Sequence, residues 1–178
     1  MSIKIRLKNS LNEKLVKNHV FFTNQEFKIC GFNKLPIFKY SDLINKSINS
    51  YKLKDKDFLS FNINPTQKII LIKIKKNQSS LDIEKIGANF YGFIKANSFF
   101  KTTFYEKNIK DSNSQSRYFF EEFIHGVELK SYEFNKYKTK NENKIFEVEI
   151  LGQNKSLNLN QNKRFRSLIE GTNYTKDL

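Results

Sequence analysis

The sequence predicts an α/β domain, a mixed and partly parallel sheet flanked by helices on both faces and ending in a long helix. Three observations predict it. Strand-like and helix-like periods alternate along the chain. The run KIILIKIK at 68–75 is nearly continuous in Ile and Leu, which suits a strand buried on both faces. A strand, a helix and a second strand then follow one another over 68–107, the order of a right-handed βαβ unit with parallel strands.

The elements follow in order. SIKIRLK at 2–8 places Ile3, Ile5 and Leu7 on one face and Lys4, Arg6 and Lys8 on the other, a half-buried strand. HVFFT at 19–23 is a second short strand. The pattern weakens between 24 and 57, where SDLINKSI reads as a helix capped by Ser41, with Leu43, Ile44 and Ile48 on one face. FLSFNI at 58–63 is a strand with Leu59, Phe61 and Ile63 on one side. Beyond the 68–75 strand, Ser79 and Asp82 form a capping signal, and Ile83, Ile86, Gly87, Phe90 and Ile94 keep helical spacing. FFKTTFYEK at 99–107 is rich in strand-favouring residues, and 107–116 is a polar loop. Residues 117–132 form a helix whose buried stripe is Phe120, Phe123, Ile124 and Val127. KYKTKNENK at 136–144 is an exposed charged turn. In the strand IFEVEI at 145–150, Phe146, Val148 and Ile150 point inward and Glu147 and Glu149 outward. GQNKSLNLNQ is a loop, and a last helix begins near Leu159 with Phe165, Leu168 and Ile169 on one face.

Composition bounds the function. At 178 residues the chain can bury a core without disulfides or a structural metal. Cys30 is the single cysteine, read as a small apolar residue. No apolar run reaches the length of a membrane span and no secretory leader is visible, so the expected location is the cytoplasm, with no membrane partner. The net charge of +14 invites a nucleic-acid reading. Against it, Arg occurs only at 6, 117, 164 and 166, and the other basic residues are evenly spread Lys among many Asn, Ile and Phe. Arg is the residue that makes bidentate phosphate and base contacts. Codon bias alone yields such a mixture.

Catalytic signatures are scarce. No phosphate-binding glycine loop, nucleophile elbow, HExxH or paired CxxC occurs. His19 beside an apolar strand and His125 on a helix face are too distant in sequence to suggest a metal site. Glu121 and Glu122 are adjacent on a helix and diverge, which reads as a solvated face rather than an acid/base pair. The many Phe and Tyr fall on inward positions and read as core rather than as a base-stacking platform. No catalytic, cofactor-binding or metal-ligating residue is assigned.

Two stretches carry a more specific signal. HGVELKSYEFNKYK at 125–138 has the skeleton Gly126, Leu129, Tyr132, Phe134, Tyr137, and EGTNYTKDL closes the chain at 170–178. Together they resemble the N-terminal domain of the leucyl (cytosol) aminopeptidase family of metallopeptidases. There a helix bearing G-x-x-L-x-x-Y-x-F-x-x-Y-K is followed by a basic turn, a strand, and a long helix bearing E-G-x-N-x-x-[RK]-D-L. The resemblance covers roughly 80–178, and 1–79 is compatible with it. Read from the residues alone, Gly126 admits close approach of another element, since Gly inside a helix otherwise costs about 1 kcal/mol against Ala. Tyr132, Phe134 and Tyr137 would pack the helix exit, and Asn173 and Asp177 share a helix face.

The resemblance implies a macrodomain-like domain over 1–157, with 158–178 the start of a linker helix to an absent catalytic domain. It implies that the full-length family removes N-terminal amino acids from peptides with two divalent ions (Zn²⁺ or Mn²⁺) as a homo-hexamer. The ligands belong to the catalytic domain, around a motif like N-T-D-A-E-G-R that is missing here, so this chain alone is expected to be inactive. The family's glycine-rich turn after the central strand is also missing from LIKIKKNQSS. An ending inside the linker motif reads as truncation, with a frayed final turn from Asn173 to Leu178. Some bacterial members of the family bind DNA, so the alternatives are a DNA-binding or other basic interaction module and a free-standing macro-like nucleotide-binding domain.

Overall fold

The computed structural model describes residues 2–10, 15–50, 56–112, 118–132 and 145–152, together with Ser167 and Gly171, which are helical. Phe134, Tyr137, the 136–144 turn, the 153–161 part of the following loop and Phe165, Leu168, Ile169, Asn173 and Asp177 lie outside the described residues, as does the expected fraying of the final turn.

Six strands are described: β1 (Ser2–Lys8), β2 (Asn18–Thr23), β3 (Phe58–Asn64), β4 (Gln67–Lys73), β5 (Lys101–Tyr105) and β6 (Ile145–Leu151). Their order in the sheet is β1-β6-β5-β2-β4-β3. Every neighbouring pair is parallel except β3 with β4. The β3–β4 hairpin turns on Asn64, whose Oδ1 accepts from the backbone N–H groups of Thr66 and Gln67 at 2.9 and 2.8 Å, with Pro65 presetting the bend. Strand β2 is buried along its whole length, as a central strand must be.

Four α-helices are described in full: α1 (Ser41–Ser50), α2 (Ser80–Ala96), α3 (Glu106–Ser112) and α4 (Phe119–Ser131). The capping box at the start of α2 is present: Ser79 Oγ accepts from the Asp82 N–H, and Asp82 accepts from the Ser79 N–H. The expected parallel crossover from β4 through α2 to β5 passes over β2, which lies between them.

Residue alternation splits the core in two. On one face Val20, Phe22, Ile70, Ile72, Phe104, Phe146, Val148 and Ile150 meet Ile83, Phe90, Phe120, Phe123 and Val127 of α2 and α4. On the other, Phe21, Ile69, Leu71, Leu59 and Phe61 meet Ile44 and Ile48 of α1 and the 3₁₀ segments at 32–40. Helices therefore cover both faces.

Helices α2 and α4 lie in backbone contact. A Cβ on Gly87 would collide with the Phe123 carbonyl, and one on Gly126 with the Glu84 carbonyl. The close approach read into Gly126 is thus reciprocal, each helix opposing one glycine to the other's backbone.

Four expectations are corrected. Part of the polar loop at 107–116 is the short helix α3, anchored by buried Asn108 and Ile109. Leu43 is exposed and only Ile44 and Ile48 of its trio are buried, because the buried stripe of α1 is narrower than three residues. Glu121 and Glu122 do not form a solvated face; both are buried, and Ser80 Oγ donates to Glu122 at 2.7 Å. Glu149 points away from the main core as expected but is fully buried, held between Lys8 and Lys101.

Candidate functional site

In an open α/β sheet the carboxyl ends of parallel strands leave room for ligands wherever successive connections depart to opposite faces. Here that point lies between β2, which exits toward the α1 face, and β5, which exits toward the α2/α4 face. The two strands pair only at His19–Thr103 and Val20–Phe104, then diverge. The gap is filled by Asn108 of α3, fully buried, whose side-chain amide substitutes for a strand. Its Oδ1 accepts from the Phe22 N–H at 2.8 Å, and its Nδ2 donates to the Phe22 and Cys30 carbonyls at 3.0 and 2.9 Å.

The open cavity lies beside this plug, beyond the ends of β5, β6 and β1, and has a volume of about 680 Å³. Tyr105, Leu151 and Gly152 end the strands beneath it; Glu106, Lys107 and Lys110 come from α3; Asn9 follows β1; and Asn33 to Pro36 form the opposite wall. Gly31, in a left-handed conformation at φ 63°, starts that wall and brings it against Asp111. Lys34 Nζ then reaches Asp111 at 3.1 Å and ties the wall to α3. Glu106 is 4% exposed, bonded to Lys110 Nζ at 3.0 Å, and lies so close to Gly152 that a Cβ there would strike it.

Beneath the sheet end a polar cluster is sealed off. His19 Nδ1 and Tyr105 Oη are 2.6 Å apart, and Gln67 Nε2 lies 3.3 Å from His19 Nε2 while donating to the Val16 carbonyl at 2.9 Å. Because an amide nitrogen only donates, His19 Nε2 accepts and Nδ1 carries the hydrogen given to Tyr105. His19 is 2% exposed and serves the core.

Nearby on the same face, Lys4, Arg6 and Lys8 of β1 stand beside Glu147 and Glu149 of β6. Arg6 pairs with Glu147 at 2.9 Å; Lys8 and Lys101 pair with Glu149 at 2.6 and 3.2 Å. Burial pushes the Glu149 carboxyl up, but the two ammonium groups outweigh it and hold it below the usual carboxylate range.

The other residues singled out from the sequence lie elsewhere. His125 is buried on α4 with Nδ1 3.1 Å from Glu84 of α2. Burial raises Glu121, helped by the adjacent Glu122 charge. Burial likewise raises the Cys30 thiol, so it is not poised as a nucleophile. Among the described residues no three His, Cys, Asp or Glu side chains are grouped to hold an ion. No helix among them is long and apolar enough to cross a membrane. The sequence reading missed the cavity because its polar residues are contributed by a weakly patterned segment and by a helix taken for a loop. The alternation of Lys34, Lys107 and Lys110 with Glu106 carries no local motif.

No family model matches the chain, and no curated protein matches it by sequence. Solved structures match by shape. A tomato leucine aminopeptidase superposes with a TM-score of 0.60 at 17% identity, over 95% of this chain and 35% of the aminopeptidase. The chain thus spans about a third of that enzyme's length. The macrodomain of Thermus aquaticus DarG superposes with a TM-score of 0.53 at 11% identity, over 84% of this chain and 99% of that one. At these identities the likeness is one of fold, that of a macrodomain-like α/β domain.

Proposed function

We propose that this chain is a non-catalytic domain of the leucyl aminopeptidase type, corresponding to the N-terminal domain of such enzymes. In this reading it works in the cytoplasm beside a two-metal catalytic unit, within a homo-hexamer, and the divalent ions belong to that unit. The observation that carries it is the superposition of 95% of the chain on about a third of an aminopeptidase. It is supported by the G-x-x-L-x-x-Y skeleton from Gly126 to Tyr132, of which Gly126 sits at the helix crossing. The purified chain, supplied with Mn²⁺ or Zn²⁺, is expected to leave leucine amide unhydrolysed. Metal-dependent turnover well above the buffer rate would overturn the reading.

The full-length match to a free-standing macrodomain favours a second reading, an independent macro-like binding module. Calorimetry with a nucleoside diphosphate separates the two: saturable binding supports the second, and its absence leaves the first. Asn108 argues for the first, because it fills the crevice between β2 and β5 where a ligand would otherwise reach the strand ends.

A further inference from the structure

We infer that the outer edge of β1 takes up an extended segment of a partner protein as an added strand, one with acidic side chains at alternate positions and apolar residues between them. β1 is an end strand of the sheet, with β6 on its inner side. In a parallel pair every second residue turns both its N–H and its C=O toward the neighbouring strand, and the residues between turn theirs away. The Lys8 carbonyl accepts from the Gly152 N–H at 3.0 Å, so the backbone of Ser2, Lys4, Arg6 and Lys8 faces β6. The backbone groups of Ile3, Ile5 and Leu7 therefore point outward, and among the described residues nothing pairs with them. Three N–H and three C=O groups are thus open to another strand.

The side chains of β1 select the segment. Ile3 and Ile5 are half-buried against the main core, and Leu7, next along the same side of the strand, is 39% exposed. Apolar residues on an added strand would cover all three. On the opposite face Lys4, Arg6 and Lys8, with Lys101 of β5, set four cations around two carboxylates, Glu147 and Glu149. Lys4 is exposed and has no ion pair among the described residues, and the Arg6 side chain stays 42% exposed beside Glu147. The surplus charge is positive and lies along the edge, and opposite charges on adjacent strands attract. β6 shows what β1 accepts on its inner side, since Phe146, Val148 and Ile150 alternate there with Glu147 and Glu149. A copy of β1 does not fit. Antiparallel pairing about Ile5 would set Lys4 of each chain against Arg6 of the other, the repulsion by which lysines guard sheet edges. β3, at the far end of the sheet, carries no charge from Phe58 to Asn64 and makes no such selection. The inference goes beyond the domain assignment and is independent of it, because it needs neither a catalytic unit nor a ligand in the cavity.

The test is amide hydrogen exchange of the ¹⁵N-labelled full chain, titrated at pH 7 with three capped heptapeptides in which Val alternates with Glu, Lys or Ser. The Glu peptide is expected to bind saturably and to slow exchange of the Ile3, Ile5 and Leu7 amides about tenfold or more, leaving the β3 amides as they were. The Lys peptide should bind about tenfold more weakly, with the Ser peptide between the two, and added salt should weaken the Glu peptide. Lys4→Glu, at an exposed position, should weaken the Glu peptide by about fivefold and strengthen the Lys peptide. The proposal is overturned if the Glu peptide does not bind, or if the Lys peptide binds as well as it does. It is equally overturned if the Glu peptide binds without slowing the three amides, which makes β1 a basic surface that gathers anions without adding a strand. Slowing of those amides with rising chain concentration and no peptide would also overturn it, since the edge would then belong to a second copy. Should Lys4→Glu unfold, the peptide series on the unaltered chain still decides.

Discussion

Two carboxylates of similar burial respond to acid in opposite senses. Glu149, stabilised as an anion by Lys8 and Lys101, has a lowered pKa. Its contribution is fully present above the ordinary carboxylate value of about 4.3 and is lost as pH falls through the lowered one. Glu121 has a raised pKa, so the fold favours its protonated form, and stability is lost as pH rises from that ordinary value through the raised one. Glu149→Gln should therefore lower the melting temperature at pH 7, with the deficit shrinking in acid. Glu121→Gln should raise it at pH 7, with the gain vanishing below about pH 4. Melting curves of both variants from pH 3 to pH 8 check the two signs at once. Asn108 gives the residue scale its largest expected effect. Asn108→Ala removes three hydrogen bonds, leaving the buried Phe22 N–H and the Cys30 carbonyl without that partner while the Phe22 carbonyl keeps the Cys30 N–H, and should cost about 3 kcal/mol in urea unfolding. Nothing in the sequence marks this residue. Its side chain completes a sheet whose partner strand is far away in the chain, and only the assembled topology shows the gap.

At the scale of elements, the α2/α4 crossing allows a prediction with an internal control. Ala at Gly87 or Gly126 would drive a methyl into a carbonyl of the facing helix, and each should destabilise by about 2 kcal/mol despite better helix propensity. Gly92, exposed in the same α2 with nothing near its missing Cβ, should respond the other way. Gly92→Ala is expected to stabilise by about 0.5–1 kcal/mol. Urea unfolding of the three variants tests this; equal effects would mean that the crossing is looser than described. Strong local patterns made most elements legible in the sequence. β4 was visible from its continuous Ile and Leu, α2 from Ser79 and Asp82, and β6 from strict alternation. α3 was not, because its six polar residues leave Ile109 as the one apolar mark, and most of its buried side chains, Glu106, Asn108 and Ser112, are polar. The cavity stayed hidden for the same reason, since it is built on α3 and the 3₁₀ wall.

For the whole molecule, the charge of +14 is carried mostly by dispersed Lys. Any DNA binding should lack sequence preference and weaken by orders of magnitude between about 50 and 200 mM salt, as counterion release dictates. A filter-binding titration at both salts checks it, and a persistent preference for one sequence would instead support a specific DNA-binding role. The fold itself was foreseeable at this scale, since alternating α and β periods leave few architectures, but the order of the strands was not. β1 joins the sheet beside β6, pairing Ser2 with Ile145 and Lys8 with Leu151. That arrangement has a kinetic meaning. Of the described strands, β1 is made first and its described partner, β6, is made last. Until then both β1 and the free edge of β5 present unpaired backbone to other chains. Closure of this sheet is thereby tied to synthesis as far as β6, and the late pairing of β1 with β6 should be the step that a chaperone or a lower temperature assists most.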